Sequence, residues 1–102
     1  MVNELLKGLR PTHPGELLRE DVLPALGRPK TEIAELLGVS RHTLYEILGE
    51  RQPITAAMAH RIGKLVGNGP DLWLRMQASY DLAVAGEAMA DELAKIPTLE
   101  AA

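Results

Sequence analysis

Between positions 40 and 46 the chain carries Ser40, Arg41, His42, Thr43, Tyr45 and Glu46, with Leu44 the only apolar residue among them. This set suits hydrogen bonding to a duplex better than covalent chemistry. A guanidinium such as Arg41 donates two parallel bonds to a guanine edge, the commonest base-reading contact. His42 can donate or accept at a purine edge, and Tyr45 can pack on a thymine methyl group or reach phosphate. Glu46 either accepts from cytosine N4 or keeps phosphate away from its position. Ser40, Thr43, Lys30 and Arg51 are the candidates for phosphate oxygens, which set register and carry no sequence information. Arg51, just after Gly49, alternatively serves a helix C-terminus. Charged residues on a short helix are by default a solvated face, so what surrounds them decides.

Catalytic alternatives are poorly supported. The histidines are His13, His42 and His60, and no pair has the i, i+4 spacing with an intervening Glu of a metalloprotease helix. There is no glycine-rich phosphate loop. With no cysteine, thiolate metal sites and cysteine nucleophiles are excluded. His13-Pro14-Gly15-Glu16 pairs a base with an acid but reads better as a helix start, with His13 the cap and Pro14 in the first turn. The expectation is a protein that is not an enzyme and takes no cofactor and no metal.

The elements that must present residues 40–46 follow from the punctuation. Pro11 and Pro14, Gly27 and Pro29, Gly38, Gly49 and Pro53, Gly67 to Pro70, and Pro97 separate five apolar-periodic segments. None alternates with the period of a half-buried strand, so five helices are expected. The first runs from Pro14 to Pro24, where proline ends or kinks it, with Leu18 and Val22 inward. The second runs to Leu37 with an apolar stripe of Ile33, Leu36 and Leu37, and Gly38 is its left-handed cap. The third starts at Ser40 as N-cap and turns Leu44, Ile47 and Leu48 inward. The fourth is capped by Thr55 and buries Ala59, Ile62 and Val66. The fifth runs from about Pro70 to Ile96, with Leu72, Trp73, Met76 and Tyr80 inward. The second and third helices, joined through Gly38 and Val39 with small Ala34 four residues before the glycine, have the spacing of a helix-turn-helix. Val39 plugs the gap between them.

One hundred and two residues make one domain with one modest core. The expected organisation is a leader over 1–11, a helix-turn-helix DNA-binding domain over 12–96 and a tail over 97–102. The longest fully apolar stretch is Leu82 to Ala85, too short for a membrane span, and Met1-Val2-Asn3-Glu4 does not read as a signal peptide. No membrane partner is expected, and the lack of cysteine fits a reducing cytoplasm. The net charge of −3 argues against non-specific coating of nucleic acid. Its distribution is uneven: residues 28–64 carry +2 and residues 71–102 carry −4.

Four stretches carry a family resemblance. They are R-P-T-H-P-G-E-L-L-R-E at Arg10–Glu20, L-L-G-V-S-R at Leu36–Arg41, I-T-A-A-M-A-H-R-I at Ile54–Ile62 and P-D-L-W-L-R-M-Q-A-S-Y-D-L at Pro70–Leu82. The chain resembles the HigA-type (virulence-associated protein I-like) antitoxins of the Xre/Cro-like helix-turn-helix family. The resemblance implies an all-α, five-helix Cro/lambda-repressor-like domain whose long C-terminal helix is used in dimerisation. It also implies a homodimer that represses its own operon and neutralises a co-encoded HigB-type mRNA interferase, in the bacterial cytoplasm and associated with the nucleoid. Two positions depart from the pattern. Pro29 stands where a polar cap is usual, which argues against a phosphate contact there, and His60 stands where an apolar residue is usual, which predicts altered local packing.

The fifth helix is long and apolar for so small a core. Leu74, Gln77, Leu82, Val84 and Met89 are the candidates to face a second subunit. A two-fold pair would set its recognition helices about 34 Å apart, one turn of DNA, and would require a palindromic operator. The toxin-binding surface is open between Leu5, Leu6 and Leu9 in the leader and the acidic tail. Two other readings stay in view: a free-standing repressor without a toxin, and a protein–protein adaptor that does not bind DNA.

Overall fold

In a computed structural model that describes residues 11–101, every regular element among the described residues is helical. The elements are α1 (14–26), α2 (Lys30–Leu37), α3 (Arg41–Leu48), α4 (Ala56–Val66), α5 (Asp71–Ala88) and α6 (Ala90–Ala94). The leucines of the leader, Leu5, Leu6 and Leu9, lie outside the described residues.

His13 starts α1. Its Nδ1 accepts the Gly15 N–H at 2.9 Å, and Pro14 occupies the first turn, where a missing N–H leaves no bond unmade. The expected stop at Pro24 does not occur. The helix widens instead into a π turn over Leu18–Val22, in which the Leu23 N–H reaches back to the Leu18 carbonyl, and continues to Gly27. Proline cannot donate, and its ring would strike the carbonyl four residues earlier; a wider turn moves that carbonyl aside.

The core holds Leu18, Leu23, Ile33, Leu37, Leu44, Ile47, Leu48, Ile54, Met58, Ile62 and Trp73, drawn from all five longer helices and the loop before α4. Trp73 is fully buried and donates from its indole N–H to Asn68 Oδ1 at 3.1 Å, so the one large ring is anchored at both its apolar and polar ends. Met76 and Tyr80 are half-buried beside it. Two expected core residues are outside. Leu36 is 57% exposed and Leu72 is exposed, because Ile33 with Leu37 and Trp73 with Gln77 already fill the inward faces of α2 and α5. His60 is exposed, so its departure from the family pattern leaves the packing of α4 intact.

The long C-terminal helix is not continuous. It breaks at Met89 (φ −102°, ψ 10°), and α6 follows after a single residue, giving six helices among the described residues where five were expected. Gln77, expected at a subunit interface, is 4% exposed. Its Oε1 accepts the Ile54 N–H at 2.8 Å and its Nε2 donates to Asp81 Oδ1 at 2.9 Å. It therefore satisfies the backbone of the loop before α4 and cannot face a partner.

The His13 cap makes stability depend on pH. The lone pair that accepts the Gly15 N–H is lost on protonation. Burial lowers the pKa of this imidazole below its ordinary 6.5, against the opposing pull of the Glu50 and Asp81 carboxylates. The fold therefore favours neutral His13. Its contribution is complete above pH 6.5 and declines as the pH falls from there through the lowered native value. Urea midpoints are expected to be lower at about pH 5 than at about pH 7.5, and the difference should shrink in His13→Asn, which can cap but cannot titrate. An unchanged pH dependence in that variant would remove His13 from the account.

Candidate nucleic-acid interface

The turn between α2 and α3 is built by Gly38, whose φ of 74° an L side chain rarely adopts. With the chain bent there, the Val39 N–H bonds the Ala34 carbonyl and the Gly38 N–H the Glu35 carbonyl, each at 3.0 Å. Ala34 is buried, and Val39 is half-buried and packed against the core. A third tie comes from α4: Arg61 Nη1 donates to the Leu37 carbonyl at 2.7 Å.

Helix α3 is fixed at both ends. Ser40 Oγ accepts the Thr43 N–H at 3.0 Å and donates to Thr43 Oγ1 at 3.0 Å. At the other end Arg19, from the π turn of α1, donates from Nη1 to the Leu48 carbonyl at 2.7 Å and to Glu50 Oε2 at 3.1 Å. Leu44, Ile47 and Leu48 seat the inner face in the core. What remains outward is Arg41, His42 and Tyr45, all exposed on the first two turns.

The other sequence-predicted site residues fall into place around these three. Lys30 Nζ lies 5.8 Å from the centre of the Tyr45 ring, which brings the first residue of α2 against α3. Glu46 is half-buried, and its Oε2 accepts from Arg51 Nε at 3.1 Å, so the carboxylate and guanidinium expected as separate contacts stand as a pair. Arg51 also donates its backbone N–H to the Glu46 carbonyl at 2.9 Å, which satisfies a carbonyl near the C-terminus of α3. Among the described residues no cluster of three or more metal-ligating side chains occurs. Sequence reasoning missed Arg19 and Arg61, which hold the C-termini of α3 and α2. Each is an arginine on a core-packed helix, yet nothing in the spacing says which distant carbonyl it finds.

No family model matches the chain. It is 43% identical over 84 residues to virulence-associated protein A' of Dichelobacter nodosus, covering 81% of this chain and 72% of that protein. It is 33% identical over 73 residues to antitoxin HigA-1 of Vibrio cholerae, covering 72% of this chain and 69% of the relative. The solved structure of the Pseudomonas aeruginosa antitoxin HigA with the higBA promoter superposes with a TM-score of 0.83 at 34% identity, covering 89% of this chain and 100% of that one. The chain belongs to the HigA-type antitoxins. As a HigA-type chain it is a member of a family of antitoxins and helix-turn-helix regulators, not of enzymes. In the H-P-G-E opening of this HigA-type chain His13 caps α1, and Gly15 lets α1 approach α3. No helix among its described residues is long and apolar enough to cross a membrane.

Proposed function

We propose that the chain is a sequence-specific operator-binding autorepressor and the antitoxin of a HigB-type mRNA interferase, acting as a homodimer in the cytoplasm at the nucleoid. The exposure of Arg41, His42 and Tyr45 together on the first two turns of a helix locked at both ends supports this most directly. A major groove about 12 Å wide admits one helix, and the N-terminal residues of that helix reach base edges. Arg41 and His42 read bases, with Tyr45 beside them on Lys30. Lys30, Ser40, Thr43 and Arg51 serve the phosphates, and Glu46 orients Arg51.

One short helix reads few bases, so specificity calls for two. Leu74, Leu82, Met89, Leu93 and Ile96 are all exposed. With Ala78 and Ala85 between them they recur at spacings of 4, 4, 3, 4, 4 and 3 residues along α5 and past the break at Met89, an eleven-residue repeat that keeps one face of a helix available to a partner helix. Of the sequence candidates Leu74, Leu82 and Met89 belong to this face, while Val84 is half-buried at its edge. The leader and the acidic tail both stay open as the toxin's dock.

Salt dependence tests the reading. A dimer that neutralises roughly six to ten phosphates should lose about a thousandfold or more in operator affinity between about 50 and about 200 mM salt. Gel-shift titration against the chain's own upstream region measures this. A flat response would favour the adaptor reading. Co-expression with the neighbouring gene then tests the toxin: relief of growth arrest supports an antitoxin, and no effect leaves a free-standing repressor.

A further inference from the structure

Between α2 and α4 an apolar groove opens on the side of Leu36. Two adjoining cavities of about 450 and 360 Å³ share Leu36 and Leu65 in their walls. Their rims carry Arg28, Arg61 and Lys64. Arg28 spends one nitrogen on Glu32 at 2.6 Å and Arg61 one on the Leu37 carbonyl, which leaves further donors on both guanidinium groups. Basic edges around a leucine floor fit a segment that is apolar and acidic.

The chain contains such a segment at its other end. Ile96 is 63% exposed and Leu99 is 85% exposed, in a stretch that also holds Asp91, Glu92 and Glu100 against one Lys95. Exposed as they are, Ile96 and Leu99 do not fill the groove of their own chain. Helix α5 begins only a few residues after Leu65, and its 18 residues carry the chain about 27 Å at about 1.5 Å per residue before the break at Met89. The molecule is correspondingly long, 52 Å on its major axis. The direction in which two such arms pair then matters. Parallel arms would set the acidic ends side by side. Antiparallel arms bring the acidic end of each to the base of the other, where Arg75, Lys64 and Arg61 stand.

We propose that the C-terminal segment of one copy, through Ile96 and Leu99, fills the Leu36–Leu65 groove of a second copy, with Glu100 directed to the Lys64 side of the rim. The inference rests on the homodimer proposed above and adds the orientation of its arms and an exchange of tails.

The absence of cysteine makes a direct test possible. Full-length Leu36→Cys and Leu99→Cys variants, both at exposed positions, are mixed in equal amounts and oxidised. Sedimentation of the parent chain gives its oligomeric state. The expected result is a dimeric parent and a mixed disulfide that forms at least about tenfold faster than between Leu36→Cys and a Thr12→Cys control, because docking raises the local thiol concentration. A dimeric parent with no rate advantage would overturn the tail exchange and leave the dimer standing. A monomeric parent would overturn both. A double variant that closes within a single chain, or a Leu36→Cys thiol that a maleimide labels as fast in the dimer as in unfolded protein, would show the groove occupied from within or open to another partner, and would likewise overturn the proposal.

Discussion

Replacing Gly15 with alanine is expected to lower the melting temperature by more than about 10 °C, although the change adds a single methyl group to a helix. The first turn of α1 is pressed against the last turns of α3. A β-carbon on Gly15 would stand well inside contact distance of the Ile47 carbonyl oxygen and 3.0 Å from Nδ1 of His13. That carbonyl cannot swing aside. It belongs to α3 and accepts the Glu50 N–H at 3.0 Å. The two helices would have to part, and Leu18, Ile47 and Leu48 would part with them. Overpacking usually costs about 1–3 kcal/mol, and a clash of backbone with backbone belongs at or above the top of that range. In a domain of this size each kcal/mol moves the midpoint by about 4–8 °C. Gly86 is the internal control. It lies in α5, and a β-carbon there meets nothing within 4 Å. The same substitution should stabilise the chain by about 0.5–1 kcal/mol, since alanine is the better helix former. Thermal melts followed by circular dichroism compare the two. A Gly15→Ala variant melting within about 2 °C of the parent would show that α1 does not press on α3 as described.

Gly15 also marks the boundary of what the amino-acid sequence discloses. The helix start at His13-Pro14 was legible because capping is local: the cap and the N–H it accepts lie two residues apart. The turn at Gly38 and the cap at Ser40 were legible for the same reason, and with them the outward face of α3. Periodicity placed Ile33, Leu37, Leu44, Ile47 and Ile62 inward correctly, because each helix must hide one stripe. It erred at Leu36, Leu72 and Gln77, where hydropathy and geometry disagree. A leucine stays outside when its neighbours fill the space. A glutamine goes inside when a distant backbone N–H, that of Ile54, needs an acceptor. The tie from Arg19 to Leu48 spans twenty-nine residues, and the tie from Arg61 to Leu37 twenty-four. Pairings of that range depend on how whole helices cross, which no window along the chain contains. The π turn before Pro24 belongs with them: the proline announced a disruption, but packing of Leu18 and Leu23 on the core decided that the helix would widen and not stop.

Arg41→Ala should cost operator binding more than any other single substitution on the outer face of α3. A bidentate contact to guanine contributes about 1–3 kcal/mol of discrimination. A symmetric dimer loses it twice, so the expected loss is about 2–6 kcal/mol, from roughly thirtyfold to roughly twenty-thousandfold in affinity. The melting temperature should not move, because Arg41 is exposed and none of the bonds that tie α2 and α3 to the core uses it. Salt titration separates base reading from simple charge. If Arg41 meets a base edge, the variant keeps the parent's salt slope and becomes tolerant at one base pair of each half-site. If it meets phosphate, the slope falls by about one for each copy and the ranking of operator sequences is unchanged. Arg41→Lys sharpens the distinction, since an ammonium keeps the charge but loses the planar fork. It should restore affinity at a phosphate and fail to restore it at a guanine. Unchanged affinity and unchanged base preference in Arg41→Ala would remove Arg41 from the interface. The reading of α3 would then have to pass to His42 and Tyr45, whose shorter reach would require the helix to sit deeper in the groove.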